Sequence, residues 1–245
     1  MMGRPANSVR RRGALAFGLL AASLALAAPL HAQAYQCSLP RTANVPTIAR
    51  DGPERQMPVT GYTLAVSWSP EFCRTRTSDP GQARQCSGAS GRFGFVLHGL
   101  WPDGARGWPQ WCGSGARPTG AEIAAQLCRS PSARLVARQW AKHGACMTRS
   151  PRTYYRVSAI LYDGLRWPDF DRLSRKPDLT AGDVRDWFAA ANRGWPSEAM
   201  GVKLNARGWL EELRLCYDRR FMPTRCDRAR FGPADEAPVK IWRGL

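Results

Sequence analysis

Apolar and polar positions fall into a few periodic segments separated by stretches rich in glycine, proline and serine. In 61–68, Tyr62, Leu64, Val66 and Trp68 alternate with Thr63, Ala65 and Ser67, and a period of two predicts a strand. Residues 73–92 read as loop. The apolar run 93–98 predicts a second, buried strand, ended by Gly99 with Pro102 close behind. Helices are predicted over 119–127, 132–143, 153–166 and 180–192. The second of these is the strongest, with Leu135, Val136 and Trp140 on related faces and Gly144 as its stop. Segments 200–204 and 209–217 predict two more strands. Strands and helices interleave without a strict βαβ rhythm, which predicts an α+β fold rather than a doubly wound sheet.

Residues 35–60 are polar and proline-rich with no period, and read as an irregular arm tied down through Cys37. Ahead of them, Arg4, Arg10, Arg11 and Arg12 precede an uncharged apolar run over 14–30 that closes on Pro29 and Ala32-Gln33-Ala34. A basic flank, an apolar run and a small-x-small triplet predict a signal peptide, 1–34, cut before Tyr35. A retained membrane anchor is the alternative. The three-arginine cluster resembles a twin-arginine export signal, but the residues after it match that signal poorly. No other run approaches membrane-spanning length, which excludes a polytopic membrane protein. After residue 60 there is no repeat, long linker or low-complexity block. The expectation is therefore one mature domain, 35–245, in the periplasm or the medium and without stable membrane association.

At 245 residues and 44% hydrophobic, the chain is long and apolar enough for a substantial core. Losing 1–34 removes four of its 36 basic side chains and none of its 19 acidic ones, so the mature charge is +13. That charge attracts polyanions but is not itself a function. All eight cysteines remain, and an even number in an exported chain predicts up to four disulfides, among about a hundred pairings. Zinc is disfavoured: no C-x-x-C pair occurs, and only His98 and His143 survive processing.

Those two histidines are the candidate chemistry. His98 ends the second strand, followed by Gly99-Leu100-Trp101-Pro102. His143 ends the strongest helix, with Lys142 beside it, Gln139 at i−4 on the same face and Arg138 at i−5. Cleaving RNA without a metal needs one group to take the 2′-hydroxyl proton, another to protonate the leaving 5′-oxygen, and a cation for the phosphorane. A metal phosphodiesterase would need clustered carboxylates, yet Asp103 is the only acid near His98 in sequence and none is near His143. Neither a G-x-S-x-G elbow nor a phosphate-cradling G-x-x-x-x-G-K-[ST] loop is present.

Phe93-Gly94-Phe95-Val96-Leu97-His98-Gly99-Leu100-Trp101-Pro102 and Trp140-Ala141-Lys142-His143-Gly144-Ala145-Cys146 resemble the two active-site segments of the ribonuclease T2 family of acid endoribonucleases. Tyr62-Thr63-Leu64-Ala65-Val66-Ser67-Trp68-Ser69-Pro70 resembles its first core strand, so the likeness spans most of 60–226. The resemblance implies a central antiparallel sheet packed by helices and a two-step reaction without metal or cofactor. A 2′,3′-cyclic phosphate forms first, and water then opens it to a 3′-phosphate. It implies His143 as general base, His98 as general acid, Lys142 as stabiliser of the pentacoordinate intermediate and Trp101 at the phosphate site. It also implies a Cys112–Cys146 disulfide, and Cys216–Cys226 is a plausible second. The pairing of Cys37, Cys73, Cys86 and Cys128 stays open, with Cys73–Cys128 favoured.

Where the family carries a glutamate and often a histidine before it, this chain has Gln139 and Arg138. Gln139 can donate to a phosphate oxygen but exchanges no proton. Lys142 and Arg138, with no carboxylate by them, should hold the His143 pKa low. The expected partner is single-stranded RNA of low base specificity, bound by a monomer through salt-sensitive phosphate contacts and stacked on aromatics such as Trp68, Trp108 and Trp111. DNA lacks the nucleophile and should not be cut. A polyanion-binding protein that has lost turnover is the alternative.

Overall fold

The polar–apolar alternation of 61–68 becomes a central strand because one of its faces meets a helical layer and both of its edges find partners. The computed structural model describes residues 1–3 and 34–244, so the predicted leader falls almost entirely outside the described residues. From residue 34 onward the elements are β1 (Ala34–Tyr35), β2 (Gly61–Trp68), α1 (Ser69–Cys73), α2 (Ala83–Cys86), β3 (Arg92–Phe93), β4 (Phe95–Asp103), α3 (Gly120–Ala124) and α4 (Ala133–Lys142). They continue with α5 (Pro151–Asp163), α6 (Phe170–Leu173), α7 (Ala181–Ala191), β5 (Met200–Leu204), β6 (Leu210–Asp218) and α8 (Arg228–Phe231). β4, β2, β6 and β5 lie side by side in that order, every pair antiparallel, and β1 pairs with β3 in a separate short ladder. The fold is α+β, and residues 34–244 belong to one compact unit. Among the described residues no helix is long and apolar enough to cross a membrane.

Register separates the two faces of the sheet. Leu64 opposes Leu100 and Leu215, and Val66 opposes Leu97 and Leu213; these join Val136 and Trp140 of α4, Tyr154 and Tyr162 of α5 and Phe188 of α7 in the core. Thr63, Ala65 and Ser67 face the other way, opposite Cys216, Arg214 and Glu212, so the second face is largely polar. That face carries Glu212, which His98 reaches from β4.

β4 is an edge strand, and α5 closes its free side. The Tyr162 hydroxyl donates to the Phe95 carbonyl at 2.6 Å, and the Tyr154 hydroxyl donates to the Leu100 carbonyl at 3.1 Å. The edge also explains where the strand ends. Pro102 and Gly99 do not stop it at 98, since a proline on an outer strand need not break a ladder bond, and pairing runs on to Asp103 opposite Gly61.

The helix boundaries follow their caps. Ser132 caps α4, accepting from Leu135 N–H, and Thr119 and Thr180 form capping boxes with Glu122 and Asp183. Four disulfides staple the unit: Cys37–Cys128, Cys73–Cys86, Cys112–Cys146 and Cys216–Cys226. The favoured Cys73–Cys128 pairing is incorrect. α1 and α2 fold back on each other and bring Cys86 to Cys73, while Cys128 holds the arm through Cys37. The arm 35–60 is irregular apart from the end of β1 and a bridge between Arg55 and Gln110.

Candidate active site

His98 is the extra residue of a β-bulge. The β2 partners step from Ala65 opposite Gly99 to Val66 opposite Leu97, leaving His98 unpaired in the ladder. A bulge re-aims the side chain it carries, and here the imidazole meets the polar face. Its Nδ1 lies 2.7 Å from Oε2 of Glu212, whose side chain is only 5% exposed and whose Oε1 accepts from Arg214 Nε at 3.0 Å. Burial alone would raise the Glu212 carboxyl; the hydrogen bonds and charges of His98 and Arg214 outweigh it and hold the group below its ordinary value.

His143 is the C-cap of α4, its N–H still donating to the Gln139 carbonyl at 3.0 Å. Gly144 follows because a Cβ there would come within 2.6 Å of the Trp140 ring and 2.7 Å of Tyr154, so only glycine lets the chain turn this tightly against both. The His143 ring is buried, and its Nδ1 has no hydrogen-bond partner among the described residues. Its pKa is pushed down to about 3, first by burial and then by the charges of Lys142, His98 and Arg138. The direction agrees with the sequence expectation. The principal cause is burial rather than the neighbouring cations.

Trp101 joins the two halves. Its ring meets His98 edge-on at 5.1 Å and lies 5.7 Å from His143, and its Nε1 donates to Gln139 Oε1 at 2.7 Å. Since an indole N–H can only donate, this bond fixes which way the Gln139 amide points and keeps its NH2, a donor, turned away from the indole. Gly99 makes the approach of α4 to β4 possible: a Cβ there would be 2.2 Å from Gln139 Oε1. The Cys112–Cys146 disulfide and the Trp111 N–H, which donates to the Lys142 carbonyl at 2.8 Å, tie the loop after β4 to the end of α4.

Lys142 and Arg138 both turn to Asp51, a residue of the arm. Lys142 Nζ donates to Oδ1 at 3.0 Å, Arg138 bonds Oδ2, and Trp111 Nε1 donates to Oδ1 at 3.1 Å. Hydrogen bonding from Lys142 and the charge of Arg138 hold the Asp51 carboxyl below its ordinary value. An acid therefore does stand by His143 in space, although none does in sequence. Arg138 also lines an open cleft of about 560 Å³ together with His98, Glu212, Ser67, Arg134 and Lys203. His143 lies outside that lining, so the cleft extends from the His98 side.

Two sequence expectations change here. Trp68 is no stacking platform: it is 2% exposed and packs on Phe95 and Phe170. Trp111 is 3% exposed, spent on Asp51 and the α4 carbonyl, which leaves Trp108, 44% exposed, as the open ring of the three. Asp103 accepts from Thr63 at 2.8 Å and pairs with Arg230, well away from any histidine bond. Among the described residues no group of three or more His, Cys, Asp or Glu is placed to hold a metal ion.

A buried imidazole, a second imidazole bonded to a carboxylate, and guanidinium and ammonium groups beside them are the kinds of group that acid–base chemistry on a polyanion requires. Residues 60–178 match the model of the ribonuclease T2 family. A Haemophilus influenzae protein named "Probable ribonuclease" is 31% identical over 199 residues, covering 75% of this chain and 68% of that protein. An Aeromonas hydrophila ribonuclease is 37% identical over 101 residues, 41% of this chain and 43% of that one. Among solved structures, the S-like ribonuclease trichomaglin superposes with a TM-score of 0.57 at 20% identity, covering 75% of this chain and 97% of its own. A Nicotiana alata self-incompatibility RNase does so at 0.57 and 19%, covering 76% and 100%. The chain belongs to the ribonuclease T2 family and is an endoribonuclease.

Proposed function

We propose that the chain is an exported, metal-independent endoribonuclease that cuts single-stranded RNA through a 2′,3′-cyclic phosphate with low base specificity. His143 takes the 2′-hydroxyl proton. The 2′-oxygen bonds to phosphorus, the bond from phosphorus to the 5′-oxygen breaks, and His98 delivers a proton to that oxygen. In the second step a water adds to the cyclic ester with the proton transfers reversed, leaving a 3′-phosphate. Lys142 and Arg138 balance charge on the phosphorane, the Gln139 amide donates to a phosphoryl oxygen, and Trp101 walls the site. DNA is bound without being cut, because it offers no 2′-oxygen.

The observation that carries this reading is the asymmetry of the two imidazoles. One is buried, without a hydrogen-bond partner at Nδ1 among the described residues, and held neutral far into acid, as suits a base. The other is half-exposed and bonded to an anion, as suits a proton donor. Asp51 holds the cations that the phosphate needs, so substrate binding displaces it from Lys142 and Arg138. Export follows from the leader 1–34, cut before Tyr35, and the domain acts as a monomer in the periplasm or the medium.

The test is product analysis at pH 5 with excess chelator. Wild type should give cyclic-phosphate and 5′-hydroxyl ends, and His143→Ala and His98→Ala should each lose about 100-fold or more. Loss of cleavage on chelation would overturn the reading.

A further inference from the structure

We infer that Glu212 is a positioning residue for His98, holding the imidazole through Nδ1 so that Nε2 is the nitrogen presented to the departing 5′-oxygen; this rests on the acid role proposed above. Nothing in the two family-like segments contains Glu212, which lies 114 residues beyond His98 and reaches it only through the sheet. β2 stands between them in the ladder, Ser67 opposing Val96 on one side and Glu212 on the other. The bulge at His98 turns the ring toward that carboxylate, and the 2.7 Å contact closes across the strand.

Three features make the contact directional. The Glu212 side chain is 95% buried, so it does not wander, and Arg214 fixes its second oxygen at 3.0 Å. With its carboxyl ionised, Glu212 can only accept, so His98 Nδ1 must carry the hydrogen. Nε2 is then the nitrogen that gives up its proton to the 5′-oxygen. The neutral ring left behind, with hydrogen on Nδ1 and a lone pair on Nε2, is the tautomer that takes a proton from water in the second step. Without the acceptor the neutral ring is free to hold its hydrogen on Nε2, which is useless for that step. Lys203, directly opposite Glu212 on β5, lines the same cleft but makes its ion pair with Glu211, so Glu212 stays with His98 and Arg214.

The experiment compares two substrates. A dinucleoside monophosphate expels a nucleoside 5′-alkoxide and needs the acid; a uridine 3′-(4-nitrophenyl phosphate) expels a phenolate and does not. Glu212→Gln keeps an acceptor oxygen without the charge and should lose about 10-fold in kcat on the dinucleotide. Glu212→Ala should lose about 100-fold, with KM little changed in both. On the aryl ester both variants should lose far less, which also shows that they fold. His98→Ala should show the same split. Ring 15N spectra of the wild type should show neutral His98 with its hydrogen on Nδ1. Equal losses on both substrates in the Glu212 variants, with His98→Ala still selective, would overturn the inference, as would a wild-type ring protonated on Nε2. If His98→Ala itself fails to discriminate, it is the acid assignment that falls.

Discussion

Replacing Gln139 by Glu restores a carboxylate one helical turn before His143 and tests the electrostatics of the site with almost no change of shape. The new side chain still accepts from Trp101 Nε1, now 2.7 Å from the Gln139 oxygen, so the packing over Gly99 persists. Residues at i and i+4 place their Cβ atoms about 5–6 Å apart. At roughly 6 Å and an effective dielectric of about 20, one charge is worth nearly 3 kcal/mol, or about two pKa units. Lys142 and Arg138 share the new charge, so about one to two units is the expected rise for His143. The His143 pKa now stands at about 3. A raised value protonates the base at higher pH, so the acidic limb of kcat/KM moves upward by the same one to two units. Below the new limb the rate falls about tenfold per pH unit. The assay is a pH–rate profile from pH 3 to 8 on a defined oligoribonucleotide at constant ionic strength. An acidic limb that stays in place in a normally folded variant would refute the argument that position 139 tunes the base.

Further outcomes follow from the same geometry. Because the folded His143 pKa of about 3 lies below its ordinary 6.5, the unfolded chain binds the extra proton, and stability falls as pH drops through that window by about 4–5 kcal/mol in all. Urea midpoints should show this slope in wild type and a shallower one in His143→Gln. Gly99→Ala drives a methyl into Gln139 Oε1 at 2.2 Å and should cost about 1–3 kcal/mol in thermal unfolding and lower kcat through Trp101. Replacing Cys112 and Cys146 by serine frees a link spanning 34 residues and should lower stability by about 3–4 kcal/mol, read from denaturant midpoints. Asp51→Asn removes a competitor for Lys142 and Arg138 but breaks only an exposed pair, so KM for RNA should fall by up to about fivefold at low salt.

What the sequence reveals and what it hides divide by distance along the chain. α4 and β5 lie within a residue of their expected positions, because caps and periodicity act over a few neighbours. His98, His143, Trp101 and Gln139 do converge, and the motifs that carry them are contiguous. Glu212 and Asp51 leave no such trace, since each becomes a partner only after the sheet sets its register or the arm folds back over 91 residues to Lys142. A weak signal for Glu212 exists: an acid two residues before Arg214, on the face of the strand turned away from Leu213 and Leu215. For Asp51 there is none. The tryptophans show the same limit, because Trp68 and Trp108 differ only in which face the fold gives them, core or solvent.

The most direct test of the two-imidazole account is the end-group chemistry of RNA cut by the oxidised 35–245 chain in excess chelator, at pH 5 and pH 7, with His143→Ala alongside. The account predicts cyclic-phosphate ends at both pH values that vanish in the variant. Tight, salt-sensitive binding of RNA with no cleavage would contradict it.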